Sequence, residues 1–241
     1  MRMYNPEWEA IKEFEHAARH RDVQFDLSGL ELPEDHGHVL FEALARHLPW
    51  MRDTPDLGVH PVHGAPSGRN ANLVINRRVK LVLRLPVARI EDARALVGRR
   101  IDLGAGELVI GAMKEKPLSP YATQYAHFVD MGTRDEAEFI AAARRELEAM
   151  EIRCGLIPGK ARSMHTPNGV IGGFSLMLHD ITLLQSLTVQ ERGLGLHRGY
   201  GCGLFVPHKS IKEVGGGRSL ATARIFFILL SDIGEKPWDT F

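Results

Sequence analysis

The sequence predicts an α+β protein in which the order β-α-β-β-α-β occurs twice. Three observations support this class: strand-like alternation of apolar and polar residues, amphipathic helices between the strands, and the same order of elements in both halves of the 241-residue chain. This order is that of the ferredoxin-like (RRM-like) unit. We therefore expect tandem ferredoxin-like domains, with a glycine-rich loop before the last strand.

In the first half, an amphipathic helix is expected around residues 6–20 and a strand within VQFDLSGL at residues 23–30. Apolar residues at helical spacing in HVLFEALARHL predict the next helix, preceded by the helix-start residues Pro33, Glu34 and Asp35. NLVI and VKLVLRL predict two strands joined by a tight hairpin at Asn76 and Arg77. IEDARALV then predicts a short helix, and GELVIG a closing strand.

The second half follows the same order. ATQYAHFVDM predicts a strand, and DEAEFIAAARRELEAM predicts the clearest helix in the chain. CGLI and VIGGFSLML predict two strands separated by a basic connection at residues 158–169, and LLQSLTVQERG predicts a short helix. CGLFVP, after a glycine cluster, predicts the last strand.

These elements divide the chain into four expected segments. They are an N-terminal helical extension (1–22), an N-terminal ferredoxin-like domain (23–111), a C-terminal ferredoxin-like domain with the glycine-rich loop (112–214) and a tail of unknown role (215–241).

Composition excludes several classes of protein. The longest purely apolar run, at residues 225–230, is far shorter than the roughly 20 residues needed to span a bilayer. The N-terminus lacks the continuous apolar segment of a secretory signal. Cys154 and Cys202 provide neither a disulfide framework nor a metal quartet, which is consistent with a reducing cytoplasm. We expect a cytoplasmic protein without membrane contact.

Charge is segregated along the chain although the formal net charge is zero. Residues 1–56 contain twelve acidic and six basic residues, a balance of −6, whereas residues 69–100 contain nine basic and two acidic residues, a balance of +7. A basic face can bind phosphates on a neutral molecule, but solvated arginines on outer strands and helices would give the same pattern. Charge alone leaves both interpretations open.

The densest local signal is GLGLHRGYGCGLF, which has glycine at positions 193, 195, 199, 201 and 203. Such density is typical of a main chain that adopts positive φ or approaches another backbone closely. With His197 and Arg198 beside them, these amides would suit a phosphodiester. The order helix, loop, strand does not fit a dinucleotide fingerprint. A tight turn without a ligand remains the alternative.

These residues also carry a family resemblance. GLGLHRGYGCGLF resembles the glycine-rich loop of the RAMP superfamily of CRISPR-associated proteins, and LPEDHGHVLFEALARHLP is similar to the first-helix signature of its repeat-processing endoribonucleases, the "Cas six" type of the Myxan subtype. FSLMLHDI, QERGLGLHRGYGCGLFVPHKS and the domain order extend the resemblance over residues 23–210. It implies a metal-independent endoribonuclease without a cofactor, which binds CRISPR repeat RNA and leaves 5′-hydroxyl and 2′,3′-cyclic phosphate ends.

The resemblance also implies site residues. A histidine in the loop after the first helix commonly promotes attack of a ribose 2′-hydroxyl, and the matching position is His60, in GVHPVHG. Imidazole can transfer protons at physiological pH, as transesterification requires. His63 is close enough in sequence to share this role. Arg69 is the candidate that would stabilise the pentacoordinate phosphorane. His36 is a second-rank candidate, because family members differ in the histidine they use.

The glycine-rich loop and the basic connection supply the predicted RNA-binding residues. They are Lys160, Arg162, His165, His197, Arg198, Gly199, Gly201 and Gly203. For each charged side chain among them, solvation on an exposed loop is the alternative. His36 and His38 form an H-x-H motif, but this spacing is not a zinc pattern and we expect no metal site.

Two further function classes remain open. One is a non-catalytic RNA-binding RAMP subunit that works with other CRISPR-associated subunits in an interference complex; such a subunit has no need of His60. The other is a two-histidine phosphoesterase, suggested by His165 and Thr166; that chemistry would need two H-x-T/S units.

Overall fold

The computed structural model describes residues 12–13, 18–68 and 71–208. The tail at 215–241 lies outside the described residues, as does most of the predicted extension at 1–22. In the described first half, the strands and helices in chain order are β1 (His20–Ser28), β2 (Glu31–Pro33), α1 (Gly37–His47), β3 (Gly58–Val59), β4 (Ala65–Pro66), β5 (Asn72–Val74), β6 (Lys80–Pro86), α2 (Ile90–Ala93), β7 (Arg100–Asp102) and β8 (Glu107–Lys116).

The first half has the ferredoxin-like strand order. Its antiparallel main sheet runs β3-β6-β1-β8-β7, so the two central strands are β6 and β1, as expected for a β-α-β-β-α-β unit. Helix α1 buries Leu40, Phe41 and Leu44, the apolar residues that predicted it. Strand β8 stays paired with β1 as far as Lys116, past the predicted boundary at residue 111.

The predicted hairpin between NLVI and VKLVLRL is wrong. Strand β5 pairs with β2 and β4 in a separate three-stranded sheet, whereas β6 pairs with β1 and β3. A turn does form between them, with the Val79 amide donating to the Asn76 carbonyl at 3.0 Å. β5 and β6 are joined by a turn but belong to different sheets. The short strand β3, which pairs with β6, occupies the position of the second strand of the ferredoxin-like unit.

The second half repeats the ferredoxin-like arrangement. Its described elements are β9 (Gln124–Val129), α3 (Glu136–Ala149), β10 (Gly155–Thr166), β11 (Gly169–His179), α4 (Leu183–Arg192) and β12 (Val206–Pro207). The sheet order is β10-β11-β9-β12, and all three pairings are antiparallel. Asp135 caps α3 by accepting from the Glu138 amide at 2.9 Å, and Thr182 and Gln185 form a capping box at α4.

The predicted basic connection at residues 158–169 is wrong as a loop, because most of it belongs to β10. The register between β10 and β11 shifts between Pro158 and Ala161. Proline and glycine are tolerated at such a bulge, so Pro158 and Gly159 do not end the strand. Lys160 therefore lies within this bulge of β10, and Arg162 lies on the regularly paired stretch that follows it.

The two halves are joined by buried contacts. Arg84 on β6 is fully buried, and its Nη1 donates to the carbonyl oxygens of Gln190 and Phe205, each at 2.8 Å. Phe41 of α1 packs edge to face against Tyr200, with ring centroids 5.4 Å apart. The glycine-rich loop is thus held against the first helix. None of the described helices combines the length and apolar composition needed to cross a membrane.

Candidate nucleic-acid interface and active site

The second sheet presents one polar face away from its core. Along β9, Ala126 and Val129 join the core beneath α3, while Tyr125 and His127 alternate to the other side. Arg162 of β10 lies beside both of them. Burial raises the pKa of the Tyr125 hydroxyl, and the nearby Arg162 opposes this rise. Tyrosine, imidazole and guanidinium groups therefore share one face.

The first half contributes His63 to this face. Its exposed ring meets that of His127 edge to face, with centroids 5.7 Å apart. Burial lowers the pKa of His127 to about 3, and the positive charge of Arg162 lowers it further. His127 is therefore neutral at physiological pH and lies near the guanidinium of Arg162.

His36 is a structural residue rather than a second catalytic candidate. Its buried ring uses both nitrogens: Nδ1 donates to the Pro33 carbonyl at 2.9 Å, and Nε2 accepts from the Val62 amide at 2.9 Å. These bonds fix the neutral tautomer, and burial lowers the pKa of the ring. The adjacent His63 is thereby held next to the start of α1.

His60 lies in an enclosed site. Its side chain is 11% exposed, and Nε2 is 3.7 Å from Asp22 Oδ1, longer than a hydrogen bond. Both oxygens of Asp22 accept from Arg84, at 2.8 and 2.9 Å. Burial lowers the pKa of His60, with Asp22 opposing and Arg84 adding to the effect. His60 is therefore neutral and reaches solvent through a small part of its surface.

Arg198 is also turned inward. The residue is buried, and its Nη1 donates to the carbonyls of Glu191, at 2.9 Å, and of Arg192, the last residue of α4. Burial lowers its pKa to about 10. This geometry does not suit the RNA-binding role predicted for Arg198, because the guanidinium already caps a helix C-terminus.

The glycines of the loop fit against the protein's own backbone. Gly201 and Gly203 have φ of 98° and 68°, and their amides donate to the carbonyls of Arg198 and Phe128. A Cβ at Gly203 would overlap the Leu194 carbonyl oxygen, and one at Gly199 would lie 2.8 Å from the Phe41 ring. The positive φ inferred from the glycine density is confirmed at Gly201 and Gly203. Their amides, however, are committed to internal bonds rather than to a phosphate.

His197 projects from this loop. Its Nδ1 lies 2.7 Å from Asp130 Oδ2, and its side chain is 36% exposed. The ring stacks on Tyr200, with centroids 5.5 Å apart and planes at 10°. His38 contacts the same tyrosine edge to face at 5.2 Å, so His36 and His38 point to different neighbours. Among residues 12–13, 18–68 and 71–208, no three or more His, Cys, Asp or Glu side chains are grouped to hold a metal ion.

Comparison with known protein families shows to which family this chain belongs. A family profile described as Cas6 Crispr matches residues 22–210. The chain belongs to the Cas6 family. Over 187 residues it is 35% identical to the CRISPR-associated endonuclease Cas6 of Myxococcus xanthus (strain DK1622), an alignment that covers 77% of this chain and 80% of that protein. The resemblance inferred from the helix signature and glycine-rich loop is confirmed.

Solved structures share the fold of this Cas6-family chain at low sequence identity. A CRISPR associated protein Cas6 superposes with a TM-score of 0.58 at 13% identity, covering 79% of this chain and all of that one. A Cas6-related protein from Pyrococcus furiosus gives 0.57 at 12% identity, covering 80% and 99%. An RAMP protein that binds different RNA substrates gives 0.58 at 12% identity, covering 78% and 100%. The tandem ferredoxin-like class is thereby confirmed.

The other residues of this Cas6-family chain that were predicted to bind RNA or to act in catalysis do not lie together. Lys160 is half-buried on β10, two residues before Arg162. His165, at the far end of β10, is exposed and pairs with Asp35 at 2.8 Å, while the Thr166 hydroxyl donates to the Gly169 carbonyl within the hairpin. Arg69 lies outside the described residues.

Ion pairs in the described structure offset part of the +7 charge balance of residues 69–100. Five of its basic side chains pair with carboxylates: Lys80 with Asp26, Arg84 with Asp22, Arg89 with Asp92, Arg94 with Glu91 and Arg100 with Glu107. Arg84 is buried, whereas the other four pairs favour the interpretation of these side chains as surface charges balanced by nearby acids.

Three residues of the candidate site were not singled out from the sequence. Tyr125 and His127 were detectable, because alternation in QYAHFV places them on one side of the predicted strand. No sequence pattern near Asp130, whose side chain is only 4% exposed, indicates that this residue belongs to the site. Its partner His197 follows it by 67 positions.

Proposed function

We propose that this chain is an endoribonuclease that cleaves CRISPR repeat RNA, converting pre-crRNA to crRNA. Membership of the Cas6 family and the name of the Myxococcus xanthus relative, CRISPR-associated endonuclease Cas6, support the reaction class. The observation that carries the proposal is the juxtaposition of His63 from the first half with His127 and Arg162 on the open sheet face of the second.

The sheet face serves as the RNA-binding surface. Lys160 and Arg162 supply positive charge for phosphates, and Tyr125 supplies a ring on which an unpaired base can stack. His127 is neutral because it is buried, so its ring can exchange a hydrogen bond with a phosphate whose charge Arg162 would balance. Phosphate contacts position the strand, while hairpin shape and base contacts specify the repeat.

The reaction is a metal-independent transesterification. The ribose 2′-oxygen attacks the adjacent phosphorus, the bond from phosphorus to the 5′-oxygen breaks, and the products carry a 2′,3′-cyclic phosphate and a 5′-hydroxyl. One proton leaves the nucleophile and one reaches the leaving oxygen. The loop after α1 supplies a proton-transfer group: His60 by family resemblance, and His63 by exposure. Arg69 and Arg162 are the cations that would stabilise the phosphorane.

A non-catalytic RNA-binding subunit of a CRISPR interference complex is the second candidate. The enclosure of His60 favours it, because a histidine with 11% of its side chain exposed has little room for a substrate. Such a subunit would use the same sheet face and would bind repeat RNA without cutting it.

A cleavage assay on labelled repeat RNA separates these functions. We expect the purified chain to cut within the repeat in excess EDTA, and to bind but not cut RNA with a single 2′-deoxyribose before the scissile phosphate. Binding of unmodified RNA without cleavage would support the non-catalytic subunit. Cleavage of the deoxy substrate, or loss of activity in EDTA with rescue by Mg²⁺ or Mn²⁺, would contradict the 2′-hydroxyl mechanism.

A further inference from the structure

The glycine-rich loop carries a carboxylate–imidazole pair with a defined tautomer. Asp130 follows the last residue of β9, and its carboxylate is nearly enclosed. Its Oδ1 accepts from the Gly132 amide at 2.8 Å, and its Oδ2 lies 2.7 Å from His197 Nδ1. Because an ionised carboxylate only accepts hydrogen bonds, Nδ1 must carry the proton. The lone pair of the neutral ring is therefore on Nε2.

The backbone of His197 is strained in order to present this ring. Its φ of 60° lies in the left-handed region, which a histidine adopts at a cost, although the same loop has glycine at positions 195 and 199. The bond to Asp130 and the stack on Tyr200 hold the ring in place, and 36% of the side chain remains exposed. A residue needed only for the turn would be glycine.

A second imidazole reaches the same tyrosine from the first half. His38, in the first turn of α1, contacts Tyr200 at 5.2 Å, while His197 stacks on it at 5.5 Å. Contacts from both halves thus fix the ring of Tyr200 on which His197 stacks. Proton transfer to and from a reacting phosphodiester requires two groups, and the loop after α1 supplies the second one.

We propose that His197 is the general base of the cleavage reaction and that Asp130 is its positioning residue; this inference rests on the proposed endoribonuclease function. His197 Nε2 takes the proton of the ribose 2′-hydroxyl as the bond from the 2′-oxygen to phosphorus forms. As the bond from phosphorus to the 5′-oxygen breaks, that oxygen takes a proton from an acid, the role left to the histidine that the loop after α1 supplies, His60 or His63. Exchange with water restores both imidazoles.

The test compares cleavage, binding and stability of His197→Gly and wild type. Glycine relieves the positive φ, but the enclosed Asp130 carboxylate loses its imidazole partner, so we expect a folded protein with a Tm within several degrees of wild type and repeat-RNA affinity within a few-fold. Single-turnover cleavage should fall by about 10²–10⁴-fold. The matched control is His179→Ala, which removes a histidine with the same 2.7 Å Nδ1-to-carboxylate contact, to Asp180, and should cleave as wild type does.

Asp130→Asn tests the positioning role through the tautomer of His197. The side-chain amide can donate to Nδ1, which places the ring proton on Nε2 and removes the lone pair that accepts the 2′-hydroxyl proton, so single-turnover cleavage should fall while repeat-RNA affinity stays within a few-fold. The proposal is overturned if folded His197→Gly cleaves at the wild-type rate, or if folded Asp130→Asn does so. Wild-type protein that binds repeat RNA without cutting it would overturn the proposed function itself.

Discussion

The imidazole rings of His63 and His127 meet edge to face, 5.7 Å between centroids, although they belong to different halves of the chain. His63 lies in the loop after β3, and His127 lies on β9. Burial, with the nearby charge of Arg162, keeps His127 neutral, with a pKa of about 3. The pair therefore joins a solvent-exposed imidazole to the face that carries Arg162.

The first prediction compares the two histidines of the loop. We expect His63→Ala to lower repeat cleavage by about 10²–10⁴-fold with affinity kept within a few-fold, because it removes proton transfer and little contact area. His60→Ala should also lose cleavage, since the family resemblance assigns this position to catalysis. Single-turnover rates and filter binding measure both effects. Native-rate cleavage by either variant would assign the loop's role to the other histidine.

The second prediction concerns the basic strand β10. Arg162→Ala should weaken RNA binding across different repeat sequences and reduce the slope of log K against log salt by about 0.7, the value for one lost phosphate contact on a single strand. Fluorescence anisotropy at several salt concentrations measures the slope. Arg94→Ala removes an arginine paired with Glu91 in the first half, and should leave both affinity and slope unchanged. An unchanged slope for Arg162→Ala would remove this residue from the interface.

Sequence periodicity predicted the parts of the fold that depend on local patterns. The spacing of Leu40, Phe41 and Leu44 identified α1, because a helix that buries one face must repeat its apolar residues. The partners of β5 and β6 could not be predicted in this way, since pairing depends on distant strands. Strand β10 continues through the bulge after Pro158. The sequence does not predict this continuity, because proline and glycine normally indicate a loop.

In the candidate site, too, the sequence predicted local features but not the contacts between distant residues. Glycine density correctly indicated positive φ at Gly201 and Gly203, but it does not reveal whether the approaching backbone is RNA or the protein itself. The family resemblance identified the loop that contains His60 and His63. The enclosure of His60 beside Asp22 and Arg84 depends on two other strands, β1 and β6, and local sequence does not reveal it.

The third prediction tests the structural role of the loop glycines. Gly203→Ala should lower the free energy of unfolding by about 2–5 kcal/mol, because its positive φ is unfavourable for alanine and the methyl group would overlap the Leu194 carbonyl. Gly104→Ala is the control: its φ is +89°, but nothing lies within 4 Å of the added carbon, so we expect about 1–2 kcal/mol. Urea unfolding measures both. Full stability with lost RNA affinity in Gly203→Ala would instead restore the phosphate-binding role.

The fourth prediction concerns stability against pH. Burial lowers the folded-state pKa of His36, His60 and His127 below the value of about 6.5 expected in the unfolded chain. The unfolded chain therefore binds more protons below about pH 6.5, and each of these histidines should reduce the free energy of unfolding by up to ~1.4 kcal/mol per pH unit as pH falls. Urea unfolding between pH 8 and pH 4.5 measures this loss. His127→Gln removes one titrating group, so its slope below pH 6.5 should be shallower than that of wild type. Equal slopes for the two proteins would show that His127 binds protons alike in both states.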